Sequence, residues 1–346
     1  MTDLVERLAE LTAHRDRDVL DASLADALNE LLSPLLVAVH RCVGDEGAER
    51  WLTRARMAAG DVAASADGAW ADLERLPKLD DRPTWRDCLR TQNLLTFDGP
   101  PATTLFPLAG DSGAVGVLEL RTERALVPSE RRSVGSILRI YRNFQGLLDY
   151  SERDTLTGLL NRKTFDDAFL KLSLPAPGGA GGPDAERRDS AGAGAGATTH
   201  YLAVVDIDHF KRVNDGFGHL IGEEVLLLLS RLMRATFRYH DRLYRFGGEE
   251  FVVLLRCADA ASDAAAFERL RVNVAQYAFP QVGHITVSVG FTAINSQDTP
   301  ARAFERADRA VYYAKGHGRD QVRSHAVLTA AGLLEDEHQA GDVELF

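Results

Sequence analysis

Apolar residues recur along the chain at the spacings that predict helices and strands. Leucines three or four residues apart predict a helix over residues 3–32, which Ser33 and Pro34 end. The apolar runs 35–43 and 51–58 flank a polar turn and predict a hairpin. The first third of the chain therefore combines helix and sheet.

Two more apolar runs, at 103–110 and 114–122, flank the turn 111–113 and predict a second hairpin. A short helix is expected over 84–92. The order helix, hairpin, irregular middle, hairpin, helix is similar to sensory modules of the GAF or PAS type, and we favour GAF. Residues 1–128 are therefore expected to form a GAF-like sensory domain for an unknown ligand or partner.

Four side chains of this domain are candidates to line a ligand pocket, although core packing is the more common role for each: His40, Cys42, Trp70 and Cys88. The element order does not say which signal such a domain would sense.

A long helix is expected over 129–153, with Ser129 as its N-cap. Its apolar residues follow spacings of three and four: Val134, Ile137, Tyr141, Phe144 and Leu148. Such a stripe is typical of a coiled coil, and equally of a helix packed on its own domain. We expect a parallel dimer helix that links two domains, because acidic motifs follow directly.

The second half of the chain places acidic residues where apolar runs end. A buried strand over 201–207 contains Asp206 near its end, and a helix is expected over 225–233. The intervening stretch is predicted to be a polar loop, which holds Asp208, Lys211, Asn214 and Asp215. The apolar runs within 242–255 flank Gly247, Gly248, Glu249 and Glu250 and predict a hairpin with acidic residues at its turn.

Carboxylates clustered without His or Cys suit hard divalent cations, Mg²⁺ above all. Mg²⁺ held by one or two carboxylates usually works with substrate phosphates. The two glycines let a nucleotide lie against the backbone, and Lys211 can offset phosphate charge. This combination predicts phosphoryl transfer from a nucleoside triphosphate.

Five stretches in this order resemble GGDEF domains, the catalytic domains of diguanylate cyclases. They are DTLTGLLNR (154–162), VDIDHFKRVND (205–215), GHLIG (218–222), GGEEF (247–251) and ADRAVYYAKGHGRD (307–320). The resemblance covers about 152–325 and implies an α+β fold: a palm-like domain with a mainly antiparallel sheet, as in class III nucleotidyl cyclases. We therefore expect a sensory domain, a linking helix and a cyclase domain over 154–325.

The resemblance also implies a role for individual residues. Asp206, Glu249 and the carbonyl of Ile207 would hold Mg²⁺, or Mn²⁺ in its place. Glu249 would also activate the 3′-hydroxyl, and Glu250 would assist with a second metal. The remaining substrate contacts would come from His209, Phe210, Lys211, Asn214, Glu223, Gly247, Gly248, Lys315 and Arg319.

Two features bear on regulation and specificity. Arg238 and Asp241 form an RxxD motif shortly before Gly247, which the resemblance implies to be an inhibitory product site, with Arg269 as a secondary contact. The family usually carries Asp where this chain has Glu223. The carboxylate is kept one methylene further out, so recognition of guanine is expected but another nucleotide product stays open.

Composition limits the partners. The 346 residues predict two domains, and the net charge of -11 argues against general DNA binding. Cys42, Cys88 and Cys257 lie apart, which fits a reducing compartment. No apolar run approaches the roughly 20 residues that cross a bilayer. A cytoplasmic protein without a membrane span is expected, with a flexible Gly/Ala-rich loop over 175–199 and a frayed tail over 326–346.

The leading hypothesis is a diguanylate cyclase that joins two GTP molecules into cyclic di-GMP, releases pyrophosphate and is inhibited by its product. Each site binds one GTP, so a homodimer is expected. The alternative is a catalytically idle module that binds cyclic di-GMP or GTP as an effector.

Overall fold

The computed structural model describes Thr12 and residues 17–44, 47–67, 73–110, 113–173, 199–239, 241–257 and 260–334. Contacts between residues divide the chain into two compact units, and the boundary along the sequence lies between Ser151 and Glu152. Almost all of the loop expected over 175–199 lies outside these residues. None of the helices within them is long and apolar enough to cross a membrane.

The N-terminal domain contains a five-stranded antiparallel sheet in the order β2-β1-β5-β4-β3. Both predicted hairpins form, and the three-residue strand β3 was not predicted. The strands are β1 (Leu36–Val43), β2 (Arg50–Ala58), β3 (Leu95–Phe97), β4 (Ala102–Gly110) and β5 (Gly113–Thr122). The mixed α and β architecture is confirmed, whereas the GAF type of this domain stays a prediction.

Helices cover both faces of this sheet. The helices are α1 (Arg17–Leu32), α2 (Pro83–Thr91) and α3 (Pro128–Glu152). Leucines of α1 pack with the apolar side chains of α3 on one face. On the other face, α2 packs near Trp51, Leu79 and Val117. Successive side chains of a strand point to opposite faces, so these mainly apolar strands bury side chains on both sides of the sheet.

The apolar stripe of α3 is buried inside its own domain. Val134, Ile137, Tyr141 and Leu148 are at most 2% exposed, in one cluster with α1 and the sheet. The expectation that this stripe forms the seam of a dimer helix is therefore wrong. Because one helical stripe can be covered by a sheet or by a second helix, the pattern alone does not identify what covers it.

The C-terminal domain is built on a six-stranded sheet in the order β11-β10-β7-β9-β8-β6. Its central pairs are antiparallel and its two edge strands are parallel to their neighbours, as expected for a mainly antiparallel sheet. The strands are β6 (Leu160–Asn161), β7 (Thr199–Ile207), β8 (Arg242–Gly247), β9 (Glu250–Cys257), β10 (Val287–Ala293) and β11 (Val322–Ser324).

Two helical layers enclose this sheet. One face packs against α5, α6 and α7, and the other against α4 and α8. The helices are α4 (Arg162–Ser173), α5 (Phe210–Phe217), α6 (His219–Thr236), α7 (Ala260–Gln276), α8 (Pro300–Gly316) and α9 (His325–Ala330). The expected tail thus begins with a short helix, and residues 335–346 lie outside the described part of the chain.

The polar loop expected after β7 is instead the short helix α5. Phe210 and Val213 are buried in the core on one side of α5, which leaves Lys211 and Asp215 exposed on the other. The prediction of a loop was wrong because this amphipathic pattern spans only two turns, and polar residues dominate it.

Candidate active site

The predicted acidic residues meet at one edge of the C-terminal sheet. Asp206 lies near the end of β7, opposite Glu250 on β9 and opposite Ser288 on β10. Glu249 precedes Glu250 at the turn of the β8-β9 hairpin. The antiparallel register therefore brings the strand-end aspartate beside both glutamates of the turn.

Asp206 is a buried carboxylate with one oxygen left without a partner. It is 5% exposed, and its Oδ2 lies 2.7 Å from Nζ of Lys315. Its Oδ1 is buried without a hydrogen-bond partner. Burial raises the pKa of Asp206 to about 6, Lys315 opposes the rise, and Glu249 and Glu250 add to it. The site thus carries more negative charge than its own lysine balances.

Glu249 shares this environment. It is partly buried, and its pKa is raised by burial and by the charge of Glu250, against the opposing charge of Lys315. Lys315, on the last turn of α8, also opposes the rise that burial causes in the pKa of Asp308. One lysine thus serves several carboxylates, which favours the arrival of further positive charge.

The turn that carries Glu249 is held by an arginine. Arg245 donates from Nε and Nη2 to the carbonyl of Gly248, at 3.2 and 2.9 Å. Its Nη1 lies 3.0 and 3.1 Å from the two carboxylate oxygens of Asp154. Gly248 has a φ of 51°, a conformation that glycine adopts without strain. Arg245 therefore fixes this turn to the segment that begins the domain.

Asp208 differs from Asp206 although only one residue separates them. Its Oδ1 accepts from Ser288 at 2.7 Å, and its Oδ2 accepts from Thr286 at 2.6 Å and from the amide of Asp320 at 3.0 Å. Both oxygens are therefore satisfied. Asp208 is structural, and it fixes the segment that follows Lys315 to the start of β10.

The two residues expected to recognise guanine are neighbours across the junction of α5 and α6. Asn214 lies on α5, and Glu223 lies exposed on α6 directly after Gly222. A Cβ built on Gly222 would lie 2.0 Å from Oδ1 of Asn214. The glycine is therefore required for Asn214 to lie this close to α6.

The other predicted substrate residues surround the acidic edge. His209 has a φ of 59° and lies between the acidic strand end and α5, of which Phe210 is the first residue. Lys211 is exposed on the first turn of α5. Arg319 has a φ of 61° just after α8, four residues beyond Lys315.

The RxxD motif lies apart from this edge in the chain, directly after α6. The amide of Arg238 donates to Oδ2 of Asp241 at 2.8 Å, which closes a tight turn. Arg269 of α7 donates to the carbonyl of Thr236, at the end of α6, at 2.9 Å. The side chain of Arg238 is exposed. The structure thus brings Arg269 close to the motif, as expected for a secondary contact.

The residues at the edge fit a divalent cation. Within the described ranges, no three His, Cys, Asp or Glu side chains converge on a metal position. The expected ligand set, however, combines two carboxylates with the carbonyl of Ile207. The unpartnered Oδ1 of Asp206 supplies the hard anionic oxygen that such a cation needs.

Sequence comparison identifies the family of this domain. Residues 189–321 match the sequence model described as "Diguanylate cyclase, GGDEF domain". The C-terminal half of the chain contains a GGDEF domain.

Relatives of the GGDEF domain include "Diguanylate cyclase DgcP" of Pseudomonas aeruginosa, 47% identical over 35% of this chain and 18% of the relative. "Diguanylate cyclase DgcZ" of Escherichia coli is 34% identical over 49% of this chain and 52% of the relative. The chain spans half or less of the length of most curated relatives it matches. A solved GGDEF domain of DgcB from Caulobacter crescentus, in complex with c-di-GMP, is 32% identical over 51% of this chain and 96% of that chain, with a TM-score of 0.42.

Three residues of the GGDEF domain were not singled out from the sequence. Arg245 and Asp154 hold the turn that carries Glu249 but lie 91 positions apart. The available signal was that Asp154 begins one of the five recognised stretches, and that Arg245, of opposite charge, lies two residues before another. Asp308 was also missed, although it lies two helical turns before Lys315 and therefore shares its face of α8.

Proposed function

We propose that this protein is a diguanylate cyclase, which condenses two GTP molecules into cyclic di-GMP and releases pyrophosphate. The observation that carries the proposal is the buried carboxylate of Asp206 beside Glu249, with one oxygen unpartnered, in a GGDEF domain. A catalytically idle module has no need of this uncompensated acidic site.

In this proposal, Asp206, Glu249 and the carbonyl of Ile207 hold Mg²⁺, and Glu250 assists with a second ion. The metal would neutralise charge on the phosphates and polarise the α-phosphate. Lys315 and Arg319 bind the triphosphate together with Lys211, and the amides of His209 and Phe210 donate to phosphate oxygens. The backbone of Gly247 and Gly248 lies against the nucleotide.

The reaction itself is a substitution at phosphorus. The 3′-hydroxyl oxygen of one GTP bonds to the α-phosphorus of the other, and the bond to pyrophosphate breaks. Glu249 would accept the hydroxyl proton. A second, identical substitution closes the ring.

Guanine selection is assigned to Asn214 and Glu223. Guanine presents N1–H and N2–H₂, a donor pair that a carboxylate accepts in two hydrogen bonds, whereas adenine presents no such pair. The extra methylene of Glu223 adds a rotamer to freeze, at about 0.5–1 kcal/mol. This is less than the loss of both bonds, at roughly 1–3 kcal/mol each. Selection of GTP is therefore expected, with weaker binding than an aspartate gives.

The test supplies GTP and ATP together with Mg²⁺ and identifies the products by mass spectrometry. The unmodified protein should form cyclic di-GMP. Glu223→Asp should keep that product with a modest change in KM, and Glu223→Ser should admit ATP. A mainly mixed or di-adenine product from the unmodified protein contradicts the assignment of Glu223.

Two domains must face each other, because each holds one GTP, so the active form is proposed to be a homodimer. The stripe that was expected to pair the chains is buried. Leu147 and Tyr150, at 64% and 78% exposure on α3, are apolar side chains that remain accessible for pairing. Leu147→Glu should then lower both dimer content and activity; an unchanged mass in solution contradicts this assignment.

Product inhibition is assigned to Arg238 and Asp241, with Arg269 beside them. An exposed guanidinium can contact a phosphate or guanine in two hydrogen bonds. Arg238→Ala should raise the concentration of cyclic di-GMP that halves the rate. The same inhibition curve in this variant and in the unmodified protein would place the product elsewhere.

A further inference from the structure

Four elements of the N-terminal domain meet at the buried carboxylate of Asp21. Asp21 lies on α1 and is 3% exposed. Its Oδ1 accepts from Nη2 of Arg41 on β1, at 3.0 Å, and from the hydroxyl of Tyr141 on α3. Nε of Arg54 on β2 lies 3.6 Å from Oδ2. We call these four residues the Asp21 cluster.

Tyr141 is the contact of α3 with this cluster. It is 1% exposed, and its hydroxyl accepts from Arg41 and from Nε2 of Gln145, one turn later, at 3.2 Å. Burial raises the pKa of Tyr141, so the hydroxyl keeps the proton that it donates to Asp21. Apolar side chains bury α3 along its whole length, such as Val134 and Ile137 in the first half and Leu148 in the second.

A buried ionic cluster differs from apolar packing in what it fixes. Such a cluster contributes little net stability compared with apolar side chains of the same volume, and its best-attested use is to specify register or a switch. Hydrogen bonds are directional, so a small shift of one partner breaks them, whereas apolar contacts tolerate sliding. The second half of α3 is therefore positioned by the directional contacts of Tyr141 in addition to the apolar packing of Leu148.

Strand β1 connects the Asp21 cluster to the opposite face of the sheet. Arg41 follows His40, and alternation along the strand places their side chains on opposite faces. His40 stacks on Trp85 at 3.8 Å, and its Nε2 lies 3.4 Å from Oε2 of Glu119. The register of β1 against β2 shifts between Val39 and His40. The extra residue at this point is Arg54 of β2, a member of the Asp21 cluster, whereas β1 keeps an unbroken register with β5 from Leu36 to Arg41.

We propose that the Asp21 cluster is the coupling point by which the N-terminal domain sets the position of α3, and through it the rate of the catalytic domain. The proposal rests on the proposed cyclase function. The chain passes from the end of α3, at Glu152, to Asp154 within two residues. Asp154 holds Arg245, which fixes the turn that carries Glu249.

Tyr141→Phe tests the proposal in the full-length protein, since it removes one hydroxyl and keeps the ring. Hydrogen exchange over residues 138–150 should become about tenfold faster, because a hydrogen bond to a charged group is lost. Cyclase activity should change more than about threefold, because the barrier depends on the position of the helix. Gln145→Leu, a milder change in the same contact, should shift both readouts in the same direction, and it replaces Tyr141→Phe if that variant does not fold.

Glu130→Gln is the matched control. It removes the charge of Glu130 at the start of the same helix, where Oε1 lies 2.7 Å from Nη2 of Arg124. An exposed ion pair of this kind contributes little stability, so the change should alter neither readout. Unchanged exchange in Tyr141→Phe overturns the proposal, as does faster exchange without a change in activity. An unmodified protein that makes no cyclic dinucleotide refutes the proposed function, whereas an active protein insensitive to Tyr141→Phe refutes the coupling alone.

Discussion

Each domain buries an aspartate among charged partners, but only one of the two is fully satisfied. Asp21 in the N-terminal domain has an arginine or hydroxyl partner at both oxygens. Asp206 in the catalytic domain has Lys315 at one oxygen and no partner at the other. A satisfied buried charge holds elements in place, whereas an unsatisfied one marks where the protein accepts a ligand.

Backbone strain follows the same division. In the described part of the N-terminal domain, the non-glycine residues with positive φ, Ser33 and Gln92, lie where helices end. In the GGDEF domain, His209, Arg319 and Asp320 take such conformations near the acidic edge, and Gln281 takes one in the turn between Phe279 and Gly283. Strain of this kind costs about 1–3 kcal/mol per residue and collects at functional sites. Three of the four such residues described in this domain thus lie near the acidic edge, which fits a site organised for ligand binding.

The largest effect is expected at the unsatisfied aspartate. Asp206→Ala should lower turnover by at least about 10³-fold, because several kcal/mol of charge stabilisation depend on the metal it would hold. The protein should stay folded, since among the described residues only Lys315 pairs with this carboxylate. Steady-state rates and circular dichroism check both points. Turnover near that of the unmodified protein would contradict the interpretation of Asp206, unlike Asp21, as a ligand-binding carboxylate.

The satisfied neighbour should show the opposite behaviour. Asp208→Ala leaves Thr286, Ser288 and the amide of Asp320 without their acceptor, and should lower the free energy of unfolding by about 2–4 kcal/mol. Denaturant unfolding of the metal-free protein measures this loss. A stability equal to that of Asp206→Ala would contradict the distinction between the two aspartates.

A smaller effect, on KM for GTP, is expected when the side chain of Asn214 is displaced. Gly222→Ala would place a Cβ 2.0 Å from Oδ1 of Asn214, and would displace the side chain expected to bind guanine. KM for GTP should rise about tenfold, the cost of roughly one hydrogen bond, with little change in kcat. Gly216→Ala, where a Cβ meets nothing within 4 Å, is the matched control. Equal KM values in the two variants would exclude this role for Gly222.

The smallest effect is a pH dependence of stability. The pKa of Asp206 is raised to about 6 in the folded chain, above roughly 3.9 in an unfolded one, so ionisation of Asp206 destabilises the fold. This cost is absent below about pH 4 and complete above about pH 6. In chelator, Asp206→Asn should therefore raise Tm more at neutral pH than at about pH 4.5. An equal gain in Tm at both pH values would show that burial does not penalise the ionised form of Asp206.

The sequence was sufficient for those parts of the fold that local patterns determine. Apolar runs on either side of turns predicted both N-terminal hairpins and the β8-β9 hairpin, and a buried apolar run predicted β7. The register of the strands then brings Asp206 beside Glu250. The acidic edge was therefore predictable once strand ends and turns were located, since these depend on neighbouring residues.

What escaped prediction depends on contacts between distant segments. The stripe on α3 has the same spacing whether a sheet or a second helix covers it, and only the fold identifies the sheet. Arg245 and Asp154, like Asp21 and Tyr141, are paired across 91 and 120 positions. Single charged residues carry no periodicity, so no local pattern could pair them.

Metal-dependent release of pyrophosphate from GTP tests the central claim most directly. The account predicts that the purified protein with Mg²⁺ releases two pyrophosphates for each cyclic di-GMP formed, and that a chelator or Glu249→Ala stops both. Turnover that persists in the chelator, or in Glu249→Ala, would contradict the assignment of the acidic edge as the catalytic site.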